Sequence, residues 1–321
     1  MYCRRLIVRA ALVPVVLALG VSTSGQGQSP SLEEIRGAIY EIDSSQPLNA
    51  DVSAAPKLKD EAAKISSVRS RYKVIFDSVN DQRVPCILTL PLKAKAPFPA
   101  VLLLAGSGGH KDTDYVRLTS DMLNTMGFAT LSIDAQYHGE RSRTNRSGDI
   151  HLIHHVTERD AWIQTVRDLR RAVDYLISRK DVDRTRIGFV GFSQGGMIGG
   201  TFIGVEPRIR AAVLAIPGGG FADWAVRAKM VQPNDMERLR LGAALTDPVH
   251  FIGRFAPRPL LVLSARKDEL IPAYATEALW SAAAEPKEIK WYNSGHVLPP
   301  TALLVDARAF LKQHLGSTSA P

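Results

Sequence analysis

Gly191-Phe192-Ser193-Gln194-Gly195 sets a serine hydroxyl between two glycines, each two positions away. A serine in this pattern can occupy a turn too tight for side chains at the flanking positions, with its Oγ pushed outward as a nucleophile. The chemistry it offers is acyl transfer, provided that a base stands by to take the proton. At average glycine usage the pattern arises by chance in roughly one chain in ten, so its context decides its meaning. An apolar run, Ile187-Gly188-Phe189-Val190, leads in, and a small-residue run, Gly195-Gly196-Met197-Ile198-Gly199-Gly200, leads out. This predicts strand, turn and helix in succession. Ser193 would then sit at a helix N-terminus, where the helix dipole favours developing negative charge.

The elements that must hold such a serine can be traced along the chain. Ser31 with Glu34 forms a capping-box pattern for a short helix to about residue 42, followed by a looser polar segment to residue 70. Two β-type runs, 72–76 and 84–90, are joined by Ser78-Val79-Asn80-Asp81 and predict an antiparallel hairpin. Buried strands at 100–104, 128–133, 187–192, 209–215, 259–264 and 289–292 then alternate with helical patterns at 115–126, 160–178, 195–203, 274–284 and 301–315. Continuous apolar strands separated by helices define an α/β chain with a mostly parallel sheet covered on both faces. Residues 217–251 break this rhythm. With Gly218-Gly219-Gly220, Phe221, Trp224, Met230 and Met236, the segment is too long for a featureless connection and is expected to form a cap. Phe221, Trp224 and Met230 are candidates to line a substrate pocket, although helices packed on a sheet use the same residue types.

The chain resembles an α/β-hydrolase of the dienelactone hydrolase and acetyl xylan esterase kind over roughly residues 72–315. The block Thr165-Val166-Arg167-Asp168-Leu169-Arg170-Arg171-Ala172-Val173-Asp174-Tyr175-Leu176, ahead of the elbow strand, carries more of the likeness than the pentapeptide. The resemblance implies the α/β-hydrolase fold with a small cap insertion, and a triad in the chain order serine, acid, histidine. Asp268 follows the strand that ends at Ser264. Glu269 is the neighbouring alternative, and the resemblance puts the acid at the aspartate of Lys267-Asp268-Glu269-Leu270-Ile271-Pro272. Of eight histidines, His296 alone combines the right order with a Gly-His loop just past a strand, whereas His314 falls inside the last helix. In these roles His296 takes the proton of Ser193, and Asp268 fixes the imidazole tautomer. The oxyanion would be met by the backbone N–H of Gln194 and by one from Ala105-Gly106-Ser107-Gly108-Gly109-His110. The resemblance carries the second donor to Ser107, although Ala105 stands where the family often has histidine. Asp134-Ala135-Gln136-Tyr137-His138-Gly139-Glu140-Arg141 resembles a family segment that shapes a loop bordering the active site.

Other features bound the function. Neither a cofactor nor a metal is expected: the glycine-rich loop lacks a G-x-G-x-x-G fingerprint, and His151, His154 and His155 lack a strong ligand set around them. Arg4 and Arg5 precede an apolar run from Leu6 to Gly20, interrupted by Arg9 and Pro14, a secretory signal pattern over residues 1–27 that predicts export to the periplasm or beyond. The uninterrupted stretch from Ala10 to Val21 is too short to span a bilayer, so no stable membrane insertion is expected. Removing residues 1–30 takes away three arginines and lowers the net charge from +8 to +5, with no basic cluster to suggest nucleic acid. It also leaves Cys86 as the one remaining cysteine, which reads as a small buried apolar residue. The remaining divisions are an N-terminal helical extension at 28–70, the hydrolase domain at 71–316 and a flexible tail at 317–321. The expected activity is that of a serine esterase acting on a small-molecule or carbohydrate ester. A peptidase of the prolyl oligopeptidase kind and a non-catalytic binding protein on the same fold remain open at this point.

Overall fold

The computed structural model describes residues 29–56, 69–142, 156–229 and 233–316. Among the described residues, nine strands form one sheet: β1 (Asp51–Ala54), β2 (Arg69–Asp77), β3 (Arg83–Pro91), β4 (Phe98–Leu104), β5 (Ala129–Ile133), β6 (Val182–Phe192), β7 (Ile209–Ala215), β8 (Leu260–Ala265) and β9 (Lys287–Tyr292). Their spatial order is β1-β2-β3-β5-β4-β6-β7-β8-β9. The first three strands and the β3–β5 pair are antiparallel, and every later pair is parallel. The expected hairpin is present, turning through Asn80 at φ 59° and Asp81 at φ 54°. Asn and Asp tolerate this left-handed backbone better than other non-glycine residues.

The helices are α1 (Leu32–Ala38), α2 (Asp114–Thr125), α3 (Val156–Ser178), α4 (Gln194–Val205), α5 (Phe221–Arg227), α6 (Met236–Thr246), α7 (Ala273–Ala282) and α8 (Arg308–Leu315). A π-helical turn, Ala302–Ala307, leads into α8. Alternate residues of each parallel strand serve opposite faces of the sheet. Ala100, Leu102 and Leu104 of β4 join Val166, Leu169 and Val173 of α3 and Phe202 of α4 in one core. Val101 and Leu103 join Leu123 of α2 and Phe310 and Leu311 of α8 in the other. This two-sided burial explains why these strands are apolar without interruption.

The N-terminal segment is more than a helical extension. The capping box forms, with Glu34 N–H donating to Ser31 Oγ at 3.2 Å and Ser31 N–H to Glu34 Oε2 at 2.6 Å, yet α1 ends at Ala38. Beyond it Tyr40 is fully buried against Phe251, and β1 adds an edge strand to the sheet. The arginines of α3 hold this segment in place. Arg167 donates to the carbonyl of Ile39 at 2.7 Å, Arg170 to that of Tyr40 at 2.5 Å and Arg171 to that of Gln46 at 2.8 Å.

The excursion at 217–251 contains α5 and α6, and α6 packs along α3. Asp247 ties its two ends together by accepting from the backbone N–H of Gly220 at 3.1 Å, Phe221 at 2.6 Å and Val249 at 3.2 Å. The expected signal segment, Met230, the three histidines at 151–155 and the tail at 317–321 lie outside the described residues.

Candidate active site

Ser193 sits between β6 and α4 with φ 51° and ψ −119°, a conformation that ordinary residues avoid. Its N–H donates to Ala215 at 2.8 Å, and its carbonyl accepts from Gly196 and Met197. The flanking glycines are a packing requirement. A Cβ at Gly191 would fall 2.3 Å from the Gly195 carbonyl oxygen, and one at Gly195 would fall 2.3 Å from that of Ala105. Strand β6 and helix α4 can therefore turn this sharply only without side chains at those two points.

The loops that follow β8 and β9 bring two more groups to the serine. His296 Nε2 lies 3.1 Å from Ser193 Oγ, while its Nδ1 lies 2.9 and 3.0 Å from the two carboxylate oxygens of Asp268. Asp268 also accepts from the N–H groups of Leu270 at 2.8 Å and Ile271 at 2.9 Å. Its side chain is 2% exposed and that of His296 24%. Burial raises the Asp268 pKa, but the His296 hydrogen bond and the two backbone N–H groups outweigh it and hold the carboxyl below its ordinary value. Glu269 is solvent-exposed beside Gly295. Of the two neighbouring acids, the one on the imidazole is Asp268.

Ser107 lines the same cavity as Ser193 and His296. The loop that carries it lies directly against the serine, since a Cβ at Gly106 would come within 3.0 Å of Ser193 Cβ. Gln194 is the first residue of α4 and is buried. The Asp134–Arg141 segment secures the far end of the Ser107 loop. Asp134, fully buried, accepts from Lys111 N–H at 2.9 Å, Lys111 Nζ at 2.6 Å and Glu140 N–H at 2.9 Å. Gly139 is needed there because a Cβ would fall 2.4 Å from the Asp134 carboxylate.

The cavity at Ser193 has a volume of about 350 Å³. Tyr115, Phe192, Ile216, Leu298 and Leu303 line it, and none of the described residues of the excursion at 217–251 does. This corrects the expectation for Phe221 and Trp224. They are 1% and 7% exposed and belong to the core, where Phe221 meets Trp162 edge-on at 5.5 Å. Apart from Phe192, which belongs to the serine motif at the end of β6, these lining residues carry no motif. They come from α2, from the residue after β7 and from the loop and π-turn after β9, so only the fold gathers them. Among the described residues, no group of three or more His, Cys, Asp or Glu could hold a metal ion, and no helix is long and apolar enough to cross a membrane. Cys86 is fully buried, and burial pushes its thiol pKa well above the ordinary value.

A mostly parallel sheet with this strand-turn-helix elbow defines an α/β-hydrolase. Within that class the chain belongs to the acetyl xylan esterase (AXE1) family, which it matches over residues 44–235. It is 30% identical over 151 residues to the Bacillus subtilis protein YtaP, covering 44% of this chain and 50% of that one. It is 29% identical over 209 residues to esterase FrsA of Photorhabdus laumondii, covering 62% and 45%. The chain thus spans about half the length of these relatives. An acetyl xylan esterase from Paenibacillus sp. R4 shares the fold at a TM-score of 0.68 and 19% identity, over 88% of this chain and 93% of that one.

Proposed function

We propose that the protein is an exported serine esterase that uses Ser193 as nucleophile, His296 as general base and acid, and Asp268 as the group that orients and stabilises the imidazole. The observation that carries this reading is the unbroken chain from the Asp268 carboxylate through His296 to Ser193 Oγ, opening on a cavity. Ser193 Oγ attacks the acyl carbon while its proton passes to His296 Nε2, and the N–H groups of Ser107 and Gln194 meet the oxyanion. Collapse of the tetrahedral intermediate breaks the bond to the alkoxy oxygen, which takes the proton from His296 and leaves as the alcohol. Water then attacks the acyl-serine in the same manner, releasing the acid and restoring Ser193. No step needs a cofactor. Membership of the acetyl xylan esterase family and the likeness to esterase FrsA favour an ester over an amide. Export rests on Arg4, Arg5 and the apolar run after them.

The test is labelling by a fluorophosphonate probe together with hydrolysis of short alkyl esters. Wild type should be labelled and active, and Ser193→Ala should lose both. Full activity in Ser193→Ala would exclude the mechanism, and faster cleavage of prolyl amides than of esters would exclude the substrate class.

A further inference from the structure

The cavity beside Ser193 is shaped for a hydrocarbon group. Its volume of about 350 Å³ equals that of roughly twelve water-sized groups at about 30 Å³ each, whereas an acetyl group has three heavy atoms. The polar side chains on its wall are few: Ser107, Tyr115, Ser193 and His296. Tyr115 Oη accepts from Gly106 N–H at 2.9 Å, and Ser193 and His296 are bonded to each other. Phe192, Ile216, Leu298 and Leu303 supply much of the remainder. A sugar ring seated here would find few polar partners for its several hydroxyls and would desolvate the rest, which is unfavourable. The apolar character continues outward to the rim, where Leu270 is 63% and Val297 84% exposed.

Ile216 adds an independent sign. It is β-branched and nearly buried, yet it holds φ 46°, with its N–H bonded to the Leu263 carbonyl at 2.6 Å. A β-branched residue in this region is strained, and such strain gathers where a site needs a particular side chain. Here the side chain kept at that cost is part of the cavity wall next to the nucleophile.

Building on the esterase reading, we infer that the preferred substrate carries a hydrocarbon group larger than acetyl, seated among Phe192, Ile216, Leu298 and Leu303, in place of an acetylated sugar. The experiment compares kcat/KM of the full chain, by acid release, for ethyl acetate, ethyl hexanoate, hexyl acetate and an acetylated xylo-oligosaccharide. Complete burial of a methylene corresponds to about fourfold, so one of the two elongated esters should exceed ethyl acetate at least tenfold. Which one does so identifies the acyl or the alcohol side as the cavity's occupant. Leu303→Trp should reduce that gain at least tenfold. Leu270→Ser, at an exposed position, should reduce it severalfold and covers the case in which the tryptophan variant does not fold. The inference is overturned if neither elongated ester gains, if the acetylated oligosaccharide is the fastest of the four, or if the gain survives in a folded variant. Absence of all ester hydrolysis and of fluorophosphonate labelling would instead strike the esterase reading itself.

Discussion

Both carboxylate oxygens of Asp268 face His296 Nδ1, at 3.0 and 2.9 Å, so the acid grips the imidazole while Nε2 points at Ser193. Asp268→Asn keeps the shape but can present an N–H where the imidazole also donates, which favours the wrong tautomer. We expect kcat to fall by about three orders of magnitude or more. Glu269→Gln, at an exposed site next in sequence, should stay within about threefold of wild type, as most exposed substitutions do. Steady-state kinetics on one ester tests both, and a comparable loss in Glu269→Gln would reverse the assignment.

The elbow makes a second, structural prediction. In Gly195→Ala the new methyl would lie 2.3 Å from the carbonyl oxygen of Ala105 and 2.5 Å from that of Leu104. Neither backbone can yield without moving the Ser107 loop, so a stability loss of about 4 kcal/mol or more is expected. Gly242→Ala, in α6, meets nothing within 4 Å and should stabilise by about 0.5–1 kcal/mol through helix propensity. Urea denaturation of the two variants beside wild type measures both signs.

What could be read in the sequence follows from where information is local. The five strands from 100–104 to 259–264 announce themselves because burial on both faces favours largely apolar runs, the edge strand β9 is only partly buried, and Ser193 is legible because its turn excludes side chains at Gly191 and Gly195. Strand β1 gives no such signal, since all four of its residues are exposed and backbone pairing with β2, with an ion pair from Arg83 to Asp51, holds it. Phe221 and Trp224 misled for a related reason, as a large apolar side chain in a connecting segment has the same composition whether it lines a pocket or fills a core. The apolar part of the cavity wall could not be read, because Tyr115, Ile216 and Leu303 become neighbours only through the sheet order.

Lys111 and Asp134 form a buried pair behind the Ser107 loop, their side chains 7% and 0% exposed. Replacing the cation alone, as in Lys111→Met, leaves a buried carboxylate without its partner and should cost about 3–5 kcal/mol. Glu140 completes the group. Burial pushes its pKa up, but bonds from Lys111 and Lys73 bring the carboxyl below its ordinary 4.5. A carboxyl lowered in the folded state adds stability that is fully present above pH 4.5 and lost as pH falls through the lowered folded value. Urea melts at pH 7, 5 and 4 should therefore show wild type losing stability at the acid end. Lys111→Met should be weaker at pH 7 and lose less on acidification. Equal acid losses in the two proteins would remove Glu140 from this account.

Tyr115 acts, in the proposed mechanism, through the loop whose Ser107 N–H would meet the oxyanion. Its ring packs edge-on against Phe192 at 5.0 Å, and its phenol oxygen accepts the Gly106 N–H one residue before Ser107. Burial raises its pKa above 10.0, so the phenol is neutral at working pH. The loop closes over the hydroxyl, because a Cβ at Gly109 would fall 2.6 Å from it. Tyr115→Phe preserves the ring and frees the Gly106 peptide to reorient, carrying the next N–H, that of Ser107, away from the oxyanion. Loss of a single oxyanion donor costs about a hundredfold or more in kcat, so a misaligned one should cost about tenfold. Substrate binding uses the apolar wall, and KM should change less than threefold. Tyr115 is a positioning residue by this account, and the split between kcat and KM separates it from a purely structural one. A lower melting temperature with kcat unchanged would show that the hydroxyl supports the fold alone.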